Sequence, residues 1–430
     1  MPDDTIDARI PASCPASISE ILRHAWHHDL ASLKPLLSVP GRASVQEPTT
    51  GETPLHAAIR SCGARTPDDS DASTKRPATV DIEAAKAVVH ELFLSGAIWN
   101  DVDSNNETPG CVAARLAQDE LYNLCVGAGM RAELLFGLLE GYEALESDDD
   151  DDEDEGEDGE AAIATEDQED APEDVILESD PDRAFSPPQA EGTVTSAAYL
   201  RANLTYADGK LVDDEQNGVM MAWETSIMRS SVDALLPGLP AGKRILNIGF
   251  GMGIIDAMFR ETQPSRHHIV EAHPEVLKHI ESSPDCTFGR DWEASGPGEG
   301  AYKVHAGKWQ DVIPKLSEQG ELYDAIYFDT FGEDYGQLRM FFTEYVPGLL
   351  DEGGIFGFFN GLGADRKVCY DVYTKVVEMH LTDAGLDVEW NELDVEMKGL
   401  EEDGKGEWHG VKRRYWTLDK YRLPIITLMG

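Results

Sequence analysis

The chain has 430 residues, and at roughly 100–200 residues per domain this length predicts two or three domains. Of these residues 82 are acidic and 35 basic, and the formal net charge at pH 7 is −47. The acidic excess disfavours direct contact with nucleic acid, because phosphates need a basic surface, and it suits a basic protein partner. The six cysteines form no C-x-x-C pair, so we expect no structural metal. No apolar run approaches the roughly 18 residues of a membrane span, so we expect no membrane contact. No signal-peptide pattern opens the chain, and we expect a location in the cytoplasm and nucleus.

Residues 15–146 are predicted to form an α-helical, ankyrin-like repeat domain. Apolar spacing over 19–37 predicts a pair of helices. Residues 53–58 read T-P-L-H-A-A, which resembles the T-P-L-H-x-A start of an ankyrin repeat. In that motif the Thr caps a helix, the Pro occupies its first turn and the His packs across neighbouring loops.

A second, altered copy of this motif begins at Thr108, with Gly110 and Cys111 in place of Leu and His. The two Thr-Pro pairs lie 55 residues apart, against an ankyrin period of about 33. Residues 62–79 are rich in Ser, Asp, Pro and Thr and are interpreted as an inserted loop that accounts for the excess. Ankyrin-like stacks usually bind proteins, so a docking surface is predicted; the alternative is a helical domain that only caps the catalytic domain.

Residues 147–190 are predicted to be a disordered acidic linker. Between positions 146 and 182 there are 21 Asp and Glu and no Lys or Arg. Such a composition buries too little apolar surface to offset the entropy of the chain. The simple interpretation is a solvated linker, and the functional one is an acidic segment that attracts a basic substrate or chromatin or ribosomal proteins.

Residues 191–430 alternate strand-like and helix-like patterns. The first distinctive segment is 219–228, V-M-M-A-W-E-T-S-I-M. On a helix, Met220, Met221, Glu224 and Met228 would lie close to one face. A methionine stripe is more often core than pocket, but a Glu on an apolar face needs a cationic partner. Glu224 is therefore a candidate for binding a cation.

A glycine-rich turn follows at 243–253, K-R-I-L-N-I-G-F-G-M-G. The apolar run predicts a buried parallel strand, and 254–261 returns to helical spacing, as in the first unit of a doubly wound sheet. Glycines let the backbone approach a nucleotide-type ligand closely. The next strand ends in Glu271, which can accept both hydroxyls of a ribose. NAD enzymes share this layout, but G-x-G-x-G differs from their G-x-G-x-x-G and favours S-adenosylmethionine.

The segment 323–329, Y-D-A-I-Y-F-D, predicts a central strand with Asp329 at its carboxyl end, the edge where ligands bind in open α/β sheets. The alternative for Asp329 is the cap of a turn. A helix over 337–350 and a strand over 354–360 are predicted next. Residues 412–418 and 423–428 are predicted to form the antiparallel pair that closes a methyltransferase sheet. The predicted fold is thus α/β, a Rossmann-like class I methyltransferase sheet with helices on both faces.

Residues 200–430 closely resemble guanidinoacetate methyltransferase. The chain is still more similar to the fungal protein arginine N5-methyltransferases (type IV, delta-nitrogen), which combine an ankyrin-like N-terminus, an acidic linker and this catalytic domain. The shared blocks occur in the family order at 221–228, 249–253, 271–273, 307–311, 327–331, 415–416 and 425–428.

The resemblance implies S-adenosyl-L-methionine as the cofactor and assigns roles to residues. The glycine turn would cradle the methionine part, Glu271 would hold the ribose, and Trp309 with Gln310 would border the adenine. Met228 would line the pocket and Tyr206 would close it. The full implied cofactor set is Tyr206, Met228, Gly249, Phe250, Gly251, Met252, Gly253, Ile254, Glu271, Ala272, His273, Trp309, Gln310 and Asp329.

The same resemblance implies that Glu224 and Asp329 are catalytic and grip the guanidino group of the acceptor. A guanidinium, with a pKa above about 12, is a poor nucleophile. Two carboxylates can hold its N–H edges, localise a lone pair on the attacking nitrogen and accept the proton. The predicted function is monomethylation of the delta nitrogen of arginine in target proteins, with ribosomal proteins among the candidates. The alternatives are a methyltransferase acting on a small guanidino compound and an inactive scaffold that binds partners.

Overall fold

The computed structural model describes residues 3–64, 81–146, 195–207, 209–401, 406–412 and 414–430. The predicted acidic linker, 147–190, and most of the predicted inserted loop, 62–79, lie outside these residues. No helix among the described residues combines the length and the apolar composition that crossing a membrane requires.

The N-terminal part is entirely helical in its described regular elements, as predicted. It contains α1 Ile6–Arg9, α2 Ala16–Trp26, α3 Leu30–Leu37, a 3-10 turn Arg42–Ser44, α4 Pro54–Arg60, α5 Ile82–Leu94, α6 Pro109–Arg115 and α7 Asp119–Glu146. Helices α2 and α3 are the pair expected over 19–37. The apolar side chains of α2, α4, α5 and α6 meet in one buried core.

The two Thr-Pro motifs start two helices in the same way. The Thr53 hydroxyl oxygen accepts the His56 N–H at 3.3 Å and begins α4. The Thr108 hydroxyl oxygen accepts the Cys111 N–H at 3.1 Å and begins α6. The buried His56 ring lies 2.9 Å, through Nε2, from the carbonyl oxygen of Glu107. The predicted capping role of each Thr and the bridging role of His56 are confirmed.

The C-terminal part begins with a small antiparallel sheet of three strands. Its elements are α8 Ser196–Tyr199, β1 Thr205–Ala207, β2 Lys210–Val212, β3 Gly218–Met221, a 3-10 turn Ala222–Glu224 and α9 Thr225–Leu235. The helix considered over 219–228 is therefore wrong. Met220 and Met221 end a strand, because β3 pairs with β2 through Met221 and Lys210. Glu224 ends the 3-10 turn, and Met228 lies on the following helix.

A seven-stranded sheet with flanking helices follows. Its elements are β4 Arg244–Ile248, α10 Ile254–Glu261, β5 Arg266–Glu271, α11 Pro274–Ser282, α12 Arg290–Ala294, β6 Tyr302–Ala306, α13 Trp309–Glu318, β7 Tyr323–Phe328, α14 Tyr335–Met340, a π-helical turn Phe341–Tyr345, α15 Val346–Leu349, β8 Leu350–Phe358, α16 Lys367–Asp383, β9 Leu386–Asp394, α17 Met397–Glu401 and β10 Lys420–Leu428.

The strand order is β6-β5-β4-β7-β8-β10-β9, and only the pairings of β10 are antiparallel. The central strands β4 and β7 are buried on both faces, as their continuous apolar runs predict. The predicted Rossmann-like sheet is confirmed, with β4, α10, β5 and β7 at their expected positions.

Of the two strands predicted to close the sheet, the one over 423–428 is present within β10, and the one over 412–418 is wrong. Strand β10 pairs in continuous register with β9, from Lys420 opposite Asp394 to Leu428 opposite Leu386. Residues 412 and 414–418 lie outside any strand, because their backbone groups bond to loops: Lys412 N–H donates to the Gln216 carbonyl at 2.8 Å, and Thr417 N–H to the Ala364 carbonyl at 3.0 Å. The signal for β9 was the alternation L-D-V-E-W-N-E-L-D.

Helix α16 belongs to two hydrophobic cores. Val368, Val372 and Val376 pack into the core of the N-terminal helices. Val377 and Leu381, on the other face, pack into the core beneath the sheet. The N-terminal helices therefore pack against α16, and α16 connects their core to the core beneath the seven-stranded sheet.

Gly110 explains why the second Thr-Pro motif lacks its leucine. A Cβ atom at this position would lie 2.5 Å from Cγ2 of Val368 on α16. At the first motif, Leu55 instead fills the N-terminal core. The altered copy thus leaves space for Val368 of α16.

Restoring leucine at this position should destabilise the protein. Gly110→Leu forces a side chain against Val368, and overpacking of this kind costs about 1–3 kcal/mol; we expect a lower melting temperature in calorimetry. Gly399→Leu is the matched control, because Gly399 is also helical and has no atom within 4 Å of the added Cβ. The Val368→Ala change should partly rescue Gly110→Leu; equal losses at both glycines would contradict this explanation.

Candidate active site

A cavity of about 280 Å³ opens at the carboxyl ends of the parallel strands, the usual position for ligands in such sheets. The β3 edge, the glycine turn after β4, the end of β5, the start of α13, the end of β7 and the C-terminal segment all contribute to it. Residues lining the cavity include Met220, Glu224, Gly249, Gly251, Glu271, Ala272, Trp309, Gln310, Asp329, Glu333 and Tyr415.

The glycine turn after β4 leaves little room for a side chain at its first two glycines. Gly249 has φ +93°, and a Cβ atom there would lie 1.9 Å from the carbonyl oxygen of Asp329. Gly251 has φ +54°, and its Cβ would lie 2.8 Å from Cε of Met220. Gly249 therefore requires glycine, and the positive φ of Gly251 favours it. The turn forms a bare backbone wall of the cavity, which suits the close approach of a nucleotide-type cofactor.

Glu271 lies where the ribose of such a cofactor is expected. Its Oε2 accepts the Phe250 N–H at 2.9 Å, and its Oε1 accepts the His273 N–H at 2.6 Å. Burial raises the pKa of Glu271, while these backbone donors act to lower it. The Gly251 and Ala272 N–H groups add to this lowering. Glu271 also lines the cavity, so its carboxylate is placed where ribose hydroxyls can donate to it.

Trp309 and Gln310 converge on Glu333, an acid outside the predicted site. The Trp309 indole N–H donates to Glu333 at 3.0 Å, and the Gln310 amide donates to it at 3.0 Å. The Thr330 hydroxyl donates to the same carboxylate at 2.7 Å. Glu333 thus fixes the side chains expected to border the adenine. The available signal was an acid four residues beyond Asp329, in the loop that leaves the sheet.

Glu224 and Asp329 face the same cavity from different elements. Glu224 is only 3% exposed; its Oε1 accepts the Met221 N–H at 3.1 Å and also the hydroxyl of Tyr415. Burial, together with the charge of Asp329, raises the pKa of Glu224 to about 8. Burial raises the pKa of Asp329 to about 7. Its Oδ2 atom is shielded and has no hydrogen-bond partner among the described residues.

Two predicted cofactor residues support the wall from behind. The Tyr206 hydroxyl donates to the Gly251 carbonyl at 3.1 Å, and its ring stacks on His279 with 4.1 Å between centroids. His273 caps α11 by accepting the Glu275 N–H, and its Nε2 lies 2.9 Å from the Tyr199 carbonyl oxygen. Neither side chain is among those lining the described cavity.

Five further predicted residues lie in the packing around the glycine turn. Met228 and Phe250 are buried in separate hydrophobic clusters, and Met252 and Ile254 pack partly buried against the first of these. Gly253 has φ +68°, and a Cβ there would meet the Phe250 ring at 2.4 Å. The structure brings together at the cavity Glu224, Gly249, Gly251, Glu271, Ala272, Trp309, Gln310 and Asp329, and keeps the other seven predicted residues outside its lining.

A seven-stranded Rossmann-like sheet with one antiparallel strand, a glycine turn after the first strand and an acid at the end of the second defines a class I methyltransferase, whose methyl donor is S-adenosylmethionine. The glycine wall and the position of Glu271 fit that cofactor. Residues 190–391 match the family model described as guanidinoacetate N-methyltransferase.

Comparison with known proteins narrows the class further. The chain is 62% identical to protein arginine N-methyltransferase 2 of Neurospora crassa over 100% of this chain and 99% of that protein. It is 60% identical to the protein of the same name from Gibberella zeae, over 97% and 94%, and 46% identical to that from Aspergillus fumigatus, over 96% of each. The chain belongs to the protein arginine N-methyltransferase 2 family. The predicted family and cofactor are confirmed.

Replacing Gly249 by alanine should weaken cofactor binding. The added Cβ would collide with the Asp329 carbonyl, so the turn and the end of β7 must move apart. We expect the affinity for S-adenosylhomocysteine, measured by calorimetry, to fall by at least about tenfold, or 1.4 kcal/mol. Gly320→Ala is the control, because Gly320 also has a positive φ, +72°, but no atom within 4 Å of an added Cβ. Unchanged affinity in Gly249→Ala would refute this account.

Glu224→Gln should stabilise the cofactor-free protein at alkaline pH. Folding raises the pKa of Glu224 from its usual 4.5 to about 8, so the folded state loses stability as pH rises through this window. Gln keeps the acceptor oxygen and does not titrate. The melting temperature of the variant should match the wild type near pH 4.5 and exceed it above pH 8, by roughly 1 °C for each kcal/mol of unfolding free energy that the wild type loses to this titration.

Glu318→Gln, an exposed change on α13, is the control and should follow the wild type at every pH. A difference between Glu224→Gln and wild type that stays constant with pH would show that Glu224 does not titrate in this range.

Proposed function

We propose that this protein transfers a methyl group from S-adenosylmethionine to the delta nitrogen of arginine in basic proteins. The observation that carries the proposal is the pair of carboxyl groups at the cavity: Glu224 is buried, and Asp329 is half-buried with a shielded Oδ2 that has no hydrogen-bond partner among the described residues. A buried carboxylate needs a partner that brings positive charge and N–H donors. The planar guanidinium of arginine supplies both.

The residues of the chain divide the work between two ligands. When bound, S-adenosylmethionine supplies a methyl group on a positively charged sulfur, which a nitrogen lone pair can take. The glycine turn and Glu271 hold this cofactor, and Glu333 fixes Trp309 beside its adenine. Glu224 and Asp329 bind the N–H groups of the guanidinium and confine its charge to the nitrogens that do not react.

One of the two acids also receives the proton that leaves the attacking nitrogen. A base works best when its pKa lies near the working pH. Burial places Asp329 at a pKa of about 7 and Glu224 at about 8 in the free protein. We assign the proton to Asp329, because its Oδ2 has a lone pair that no described residue uses.

The delta position follows from the acceptor that the acid pair suits. In guanidinoacetate, the nitrogen that is methylated carries the alkyl chain, and its counterpart in arginine is the delta nitrogen. The match to the guanidinoacetate N-methyltransferase model over 190–391 supports the same presentation here. The two terminal nitrogens then remain bound to carboxylate. The protein arginine N-methyltransferase 2 name of the relatives supports arginine in a protein as the acceptor.

We propose three parts for the chain: an ankyrin-like docking domain at 15–146, an acidic linker at 147–190 and the catalytic domain at 191–430. The helix starts at Thr53 and Thr108 and the bond from His56 to the Glu107 carbonyl support the first assignment. A surplus of acidic residues favours basic partners such as ribosomal proteins. Action in the cytoplasm and nucleus remains a prediction.

The family model also favours a second candidate, methylation of a small guanidino compound. One experiment separates the candidates. The full chain is incubated with methyl-labelled S-adenosylmethionine and either a ribosomal protein extract or guanidinoacetate. Tandem mass spectrometry should find monomethylarginine whose methyl group stays with the ornithine side when the terminal guanidino fragment is lost.

Asp329→Asn, which keeps shape and removes the charge, should slow this transfer by about 10²–10⁴-fold, the usual cost of losing a general base. Label on a terminal nitrogen, or faster turnover of guanidinoacetate than of any protein, would refute the proposed acceptor. Cofactor binding without transfer to either substrate would instead indicate the inactive scaffold.

A further inference from the structure

We propose that Tyr415 is a positioning residue, whose hydroxyl clamps one oxygen of Glu224 so that the other oxygen faces the acceptor. The inference rests on the proposed function, because it assigns Glu224 to the guanidinium. Tyr415 lies on the segment that precedes β10, 191 residues after Glu224 in the chain, and it lines the same cavity.

The segment around Tyr415 is held firmly on both sides. The Thr417 N–H donates to the Ala364 carbonyl at 3.0 Å. The Trp416 ring is fully buried and meets the Tyr421 ring of β10 at 5.5 Å between centroids. Tyr415 itself packs edge-on against Trp408, with 4.9 Å between centroids. A side chain fixed in this way can direct a neighbour instead of following it.

Strand β3 makes room for the Tyr415 ring at Gly218. A Cβ atom at Gly218 would lie 3.1 Å from Cε1 of Tyr415. Gly218 begins the strand that leads directly into the 3-10 turn of Glu224. The tyrosine therefore reaches Glu224 across a strand whose first residue has no side chain.

The hydrogen bonds at Glu224 distinguish its two oxygens. Oε1 accepts from the Tyr415 hydroxyl and from the Met221 N–H, the latter at 3.1 Å. Two donors on Oε1 orient the carboxyl group and direct Oε2 to any further partner. Burial holds the pKa of Tyr415 well above its ordinary value, so the phenol stays protonated and acts as a donor.

The same hydrogen bond favours the charged form of Glu224. Burial and the charge of Asp329 raise the pKa of Glu224, and the Tyr415 bond opposes them. The titratable groups around Glu224 are Tyr327 from β7, Asp329 directly after β7, Tyr415 from the C-terminal segment and Tyr421 from β10. Tyr415 is the member of this set that donates to Glu224. Its hydroxyl helps to keep the carboxylate ionised at the pH at which arginine must be bound.

Tyr415→Phe removes the hydroxyl and keeps the ring. We expect the acid limb of the kcat/KM profile, measured with full-length protein and a methyl-accepting ribosomal protein, to move to higher pH by about one to two pH units, because a carboxylate loses one hydrogen bond. At neutral pH this gives a loss of about 10-fold or more, part of which returns above pH 9. Tyr323→Phe is the matched control, because it removes a buried hydroxyl that bonds to His268 at 2.8 Å and lies outside the cavity lining.

A second readout does not depend on turnover. The pH dependence of the melting temperature should extend to higher pH in Tyr415→Phe than in wild type, and this extension should vanish in the Glu224→Gln background. If wild type shows no methyl transfer while the melting data behave in this way, the proposed function fails and the clamp stands. A kcat/KM profile and a melting profile that both keep their wild-type shape in Tyr415→Phe would overturn the clamp and leave a structural role.

Discussion

Two carboxyl groups that face one cavity, Glu224 buried and Asp329 half-buried, set the central constraint on this protein. Keeping Glu224 and Asp329 apart from water raises the pKa of both. Such an arrangement persists only when the surrounding structure is rigid enough to prevent the groups from turning toward solvent. Asp329 directly follows strand β7, and Glu224 ends the 3-10 turn after β3. The backbone contact between Gly249 and Asp329 joins the cofactor wall to the acceptor site, so neither can shift alone.

Much of the catalytic half was predictable, because its signals are local. A buried strand, a glycine turn and a helix follow one another directly in 244–261, and each acid at the cavity edge stands at the end of an apolar run or next to one. Local patterns of this kind survive folding since neighbours in the chain determine them. The helix predicted over 219–228 was wrong, because the pairing of β3 with β2, and not the local spacing of apolar residues, determines the structure of this segment.

The features that the sequence could not reveal come from distant segments. Tyr415 meets Glu224 across 191 residues, and nothing in its local sequence indicates a carboxylate partner. Glu333 gains its meaning only from the indole and amide that reach it from α13. Seven residues that the family resemblance attached to the cofactor lie outside the cavity lining, where they shape the wall by packing. A sequence motif identifies the residues near the cavity, but only the structure separates the residues that line the cavity from those that pack behind the lining.

The placement of α16 in two cores has a consequence for how the protein came to be built. Its valines Val368, Val372 and Val376 are covered by the N-terminal helices, so a catalytic half standing alone would present an apolar stripe to water. The N-terminal helices therefore cover part of the enzyme's hydrophobic core, and the two halves are not independent domains joined only by a linker. Once α16 had acquired this second apolar face, loss of the N-terminal helices would have carried a cost in solubility, independent of any benefit in substrate recognition. That cost favours inheritance of the two halves as one unit.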